Sequence, residues 1–111
     1  MRVIKDGDFY RGSHIPGPTH NLLRMRIQIV PNDDFDLRVL PPVGGCSHGD
    51  PIEAGESREW INVGVKRANH ELGTSYGVVE AEVVGNDSRR PEVYAELARR
   101  IILVAHQEVG A

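Results

Sequence analysis

Residues 22–30 read Leu22-Leu23-Arg24-Met25-Arg26-Ile27-Gln28-Ile29-Val30. Leu23, Met25, Ile27 and Ile29 alternate with Arg24, Arg26 and Gln28, the period-2 pattern of a strand with one buried face. Pro31-Asn32-Asp33-Asp34 follows as a turn. Phe35, Leu37 and Val39 then alternate with Asp36 and Arg38, a second strand with one apolar face. Two such strands around a short polar turn predict an antiparallel hairpin at the centre of the fold.

Upstream, residues 2–10 form a weaker strand candidate, interrupted by Asp6-Gly7-Asp8. Downstream, residues 57–72 carry Trp60, Ile61, Gly64, Val65, Ala68 and Leu72 at helical spacing. Ser57 is placed to cap that helix and Gly73 to stop it. Residues 76–84 are rich in valine and suit a central strand. Asn86-Asp87-Ser88 breaks the pattern, and Pro91 fits the first turn of a second helix, where its missing N–H costs nothing. Val93, Tyr94, Leu97, Ala98, Ile101, Ile102 and Ala105 give that helix a wide apolar stripe, running to about Gln107.

The expected fold is α+β: a small antiparallel or mixed four-stranded sheet with two helices on one face, in the order β-β-β-α-β-α. This order is similar to that of the ribosomal protein S5 domain 2-like folds, which include a domain of translational GTPase elongation factors. The segment 76–101, a Val-rich strand followed by Asp87-Ser88 and a helix containing Leu97-Ala98, resembles the corresponding part of such domains. The resemblance implies no particular functional residue.

Length and composition set outer bounds. The chain has 111 residues, so residues 1–111 are expected as one domain, able to bury roughly two thirds of its unfolded surface. A 40% hydrophobic and 26% charged composition is that of a folded protein rather than a disordered one. The formal net charge of −3 weighs against a general nucleic-acid binder. One cysteine, Cys46, excludes an intramolecular disulfide. No stretch is apolar enough for a membrane span, and the charged start at Met1-Arg2-Val3-Ile4-Lys5-Asp6 lacks a signal-peptide run. The cytoplasm is the expected location.

The expected hairpin would bring three loops to one end of the sheet. The loop 11–21 enters one strand, the loop 41–56 leaves its partner, and residues 86–90 end the Val-rich strand. These loops hold His14, His20, Cys46, His48 and Asp50. Imidazole, thiolate and carboxylate together could do proton transfer or nucleophilic chemistry, and His14, His20, Cys46 and His48 could ligate a transition metal such as zinc. Their spacing matches no standard zinc motif. Gly44 and Gly45 would let backbone N–H groups approach an anion, and Arg89 and Arg90 could pair with one at a helix start, unless Asp87 takes them.

Three functions from different classes fit these residues. One is a small enzyme or ligand-binding domain acting on a polar, anionic small molecule. A second is a non-catalytic binding or homo-oligomeric assembly module, for which Trp60 and the wide stripe around Tyr94 would supply contact surface. The third, which the net charge disfavours, is a nucleic-acid or ribosome-associated module.

Overall fold

The computed structural model describes residues 1–14, 20–41, 53–84 and 90–109. The elements are β1 (Arg2–Asp6), β2 (Phe9–His14), β3 (Asn21–Gln28), β4 (Asp36–Leu40), α1 (Ala54–Leu72), β5 (Gly77–Val84) and α2 (Pro91–Val109). The class is α+β, with a mixed five-stranded sheet in the order β1-β2-β3-β5-β4. β4 runs parallel to β5, and every other neighbouring pair is antiparallel.

Two sequence expectations fail here. The N-terminal segment is two strands, not one interrupted strand. Asp6 pairs with Phe9, so Gly7-Asp8 is a two-residue hairpin loop, and Gly7 adopts φ 64°. A positive φ at the first loop position is what a type II′ turn demands, and glycine adopts it without steric cost. The sheet therefore has five strands rather than four.

The second failure is the central hairpin. β3 and β4 do not pair; β5 lies between them. The connecting residues 29–35 are fastened away from a hairpin path. Asn32 donates its side-chain amide to the Val78 carbonyl (2.8 Å), and from α1 Asn62 donates to the Asp33 carbonyl (2.9 Å). Arg58 donates to the Phe35 carbonyl at 3.3 Å. With Phe35 buried and β4 carried past β5, the chain returns through α1 as a parallel β-α-β unit. Ile29, expected on the apolar face, lies beyond the strand end and is 78% exposed.

Alternation sorts the sheet into two faces. Leu23, Met25, Ala81 and Val83 point to the helices and are fully buried, with Val78 and partly buried Ile27 beyond a bulge at Arg26/Ile27. They pack with Ile61, Val65 and Ala68 of α1 and with Tyr94, Leu97, Ala98, Ile101, Ile102 and Ala105 of α2. α2 is buried on so many positions because it has the sheet on one side and α1 on the other. The wide stripe that suggested room for a partner is filled within the chain. Trp60, expected as a core or interface anchor, is half-buried.

The helix ends follow local chemistry. α1 begins earlier than expected: Glu53, not Ser57, is the cap, accepting from the backbone N–H groups of Gly55 (2.9 Å) and Glu56 (2.7 Å). Ser57 is a buried residue within the helix. Gly73 ends α1 as expected, in the left-handed region with its N–H bonded to the Asn69 carbonyl. Near its C-terminus α2 is fastened twice. Tyr76 Oη lies 2.8 Å from His106 Nδ1, and Tyr10 donates its hydroxyl to Glu108 Oε2 at 2.7 Å. No helix among the described residues is long and apolar enough to cross a membrane.

Candidate anion-binding site

The strand directions place Asn21, Leu40 and Val84 at one end of the sheet, since Leu23 pairs with Val83 and Leu40 with Val84. His14 pairs with Asn21 at that same end. His14 is half-buried and alternates onto the helical side of β2. His20 is half-buried just ahead of β3. Arg90 is exposed ahead of α2, where its carbonyl accepts from the Val93 N–H at 3.0 Å. Cys46, His48, Asp50, Gly44, Gly45, Asp87 and Arg89 lie outside the described residues. Among the described residues no three His, Cys, Asp or Glu side chains come together in a metal-binding group.

The face of the sheet away from the helices carries a different set of groups. Arg24 of β3 stands opposite Glu82 of β5 and forms an ion pair with it; Arg26 stands opposite Glu80, with Nε 3.0 Å from Oε1. Arg38 of β4 reaches the same Glu82 at 3.8 Å. Arg24 Nε also lies 3.3 Å from Asp6 Oδ2, near enough for ionic attraction but out of hydrogen-bond alignment. Its guanidinium sits over the Phe9 ring, 4.3 Å from the centroid. The centre of this face is thus charge-compensated, and Glu82 at its middle is only 6% exposed.

The β1–β2 edge of the same face differs. Arg2, Ile4, Arg11, Ser13 and Leu22 surround a concavity of about 250 Å³. Register explains the grouping: Arg2 pairs with Ser13, Ile4 with Arg11, and Ser13 with Leu22. Arg11 also stands opposite Arg24, and like charges directly opposite repel. Arg24 is drawn toward Glu82 and Asp6, which leaves Arg11 facing the concavity. Among the described residues no carboxylate is within ion-pair distance of Arg2 or Arg11.

Two forked guanidinium groups, one hydroxyl and an apolar floor of Ile4 and Leu22 suit a small anion with an apolar body. The described residues around this concavity are two arginines, a serine and two aliphatic side chains, a set suited to holding an anion. Sequence reasoning singled out neither Arg2 nor Arg11. Reading Asp6-Gly7-Asp8 as a turn would have found them, because that hairpin sets Arg2 and Ile4 beside Arg11 and Ser13.

Comparison with protein-family models, curated proteins and solved structures finds no match for this chain.

Proposed function

We propose that this chain is a ligand-binding domain for a small anionic molecule, held on the open sheet face between Arg2 and Arg11. The supporting observation is the contrast along one face. Arg24, Arg26 and Arg38 each have a carboxylate partner, whereas Arg2 and Arg11, flanking a concavity, have none among the described residues. A carboxylate or phosphate would complete the pattern that the rest of the face follows internally. Ile4 and Leu22 would contact an apolar part of the ligand, and Ser13 would donate to a further oxygen.

Calorimetric titration with inorganic phosphate, succinate and benzoate tests this reading. Saturable binding is expected in about the millimolar range or tighter for at least one of them. Arg2→Ala and Arg11→Ala should each weaken it about tenfold, equivalent to about 1.4 kcal/mol. No saturable heat with any of the three, or equal binding by both variants, overturns it.

A second reading is favoured by the common end of the sheet that holds His14, Asn21, Leu40 and Val84. In it the chain is an enzyme using His14 and His20 with Cys46, His48 and Asp50, with or without a metal such as zinc. Elemental analysis of untagged protein tests the metal-dependent form. Near-stoichiometric metal, lost on changing His14 or His20 to alanine, would establish that form.

A further inference from the structure

We propose that the outer surface where α1 meets α2 docks an acidic peptide segment carrying apolar anchor residues. This surface lies across the helical layer from the Arg2–Arg11 concavity, and the proposal does not depend on that site. Val63, Lys66, Arg67, His70 and Arg99, with Glu71, enclose a shallow groove of about 520 Å³. Its floor is Val63 together with the aliphatic stems of the long cationic side chains, which cover apolar surface while keeping their charges in water.

Charge decides the kind of occupant. Of the three permanent cations lining the groove, Arg99 is taken up by Glu71 at 2.7 and 2.8 Å and by Glu96 at 2.9 Å, which leaves Lys66 and Arg67 to meet an incoming anion. Among the described residues Lys66 has only a loose ion-pair partner, Asp33 at 3.6 Å, with both side chains largely exposed. Such a pair competes weakly with an incoming anion. Arg67 is exposed and has no ion-pair partner among the described residues. The patch is cationic on a chain whose net charge is −3. It therefore attracts acidic partners locally despite the negative net charge of the chain.

An aromatic anchor stands at the end of the same strip. Trp60, Val63 and Arg67 follow i, i+3, i+7 spacing on α1, and Trp60 is half-buried. Tryptophan and arginine beside an apolar floor are the residues most enriched where proteins bind one another. A nucleic acid fits less well. Its affinity rests on many phosphate contacts, and this groove offers few cations on an acidic chain.

The test is a titration of the intact chain with a tryptophan-free helical peptide, about 15 residues long, bearing leucine on one face and glutamate on the other. Trp60 is the only tryptophan, so its emission reports directly on this surface. A saturable emission change with a dissociation constant of about 10–100 μM at low salt is expected. It should weaken at least tenfold in Arg67→Glu, with circular dichroism unchanged, and weaken again as salt is raised. The proposal is overturned by any of four results. These are no saturable change, equal binding by Arg67→Glu, tighter binding of a single-stranded oligonucleotide of the same charge, or self-association by sedimentation that Arg67→Glu abolishes.

Discussion

Gly64 of α1 and Ala95 of α2 mark a point where the helices approach so closely that a β-carbon on Gly64 would overlap the Ala95 backbone carbonyl. The neighbour is main chain, not a side chain that can swing away. Gly64→Ala would gain about 1 kcal/mol of helix propensity but force the helices apart, and overpacking costs about 1–3 kcal/mol or more. Since Ile61, Val65 and Ala68 share that interface with α2, the second effect should win. A lower urea midpoint for Gly64→Ala is expected; an equal or higher one would show that the helices can separate cheaply.

Tyr10 contributes alkaline sensitivity to the fold. Burial first, then its hydrogen bond to Glu108 and that carboxylate's charge, push the Tyr10 phenol up to about 12. The neutral phenol is therefore favoured by folding. Its contribution is fully present below the unfolded value of about 10 and is lost as pH rises through the folded value. Absorbance at 295 nm followed with pH should therefore show a late ionisation step from Tyr10. Tyr10→Phe should abolish that late step at a cost of about 0.5–1.5 kcal/mol for the lost bond. An unchanged titration curve in the variant would assign the late step elsewhere.

How much of this was legible beforehand differs by kind of interaction. Periodicity located β3, β5 and both helices because side-chain burial writes itself into sequence: Leu23 and Met25 are fully buried where alternation placed them. Pairing is carried by backbone hydrogen bonds, which have no residue signature. β3 and β4 each have one apolar face, and both sheet orders satisfy that pattern equally. What separates them is the anchoring of residues 32–35 by Val78, Arg58 and Asn62, contacts between distant parts of the chain. Val39, expected on the buried face, is 48% exposed because β4 is an edge strand.

The candidate site was less legible than the fold. Histidine and cysteine drew the reading toward loops because their chemistry is conspicuous in any context. Arg2 and Arg11 are ordinary surface residues until strand pairing puts them around one concavity. Their distinction is relational: five arginines share a sheet face, and carboxylates at positions 80 and 82 serve only the three nearest β5. That inequality is a property of strand pairing, and the pairing was the part of the sequence reading that failed.

Arg24 and Glu82 give a sharp test of the open face. Glu82 is nearly buried, and Arg38 reaches it only at 3.8 Å from an exposed position. Removing Arg24 leaves a carboxylate with poor compensation, so Arg24→Ala should destabilise by about 2 kcal/mol, below the range for a fully buried pair because Arg24 is partly exposed. Replacing both partners with leucine removes the stranded charge and should recover most of that loss. If Arg24→Ala and the double variant have the same urea midpoint, the pair's burial is not what sets its worth.

Arg99 joins the two helices through charge as Gly64 joins them through contact. It donates to both oxygens of Glu71 on α1 and to Glu96 on its own helix at 2.9 Å. The hydrogen bonds from Arg99, followed by its charge, hold the Glu71 carboxyl below the usual glutamate range despite some opposing desolvation. A depressed folded value means the interaction is fully present above the unfolded glutamate pKa and is lost as pH falls through the folded one. An NMR titration of the Glu71 side chain should therefore show a low midpoint. Arg99→Gln should return it toward the ordinary value, and Arg99→Lys should fall between, because lysine keeps the charge and loses the fork. A Glu71 midpoint that ignores both changes would mean that the helices are held at this point by packing alone.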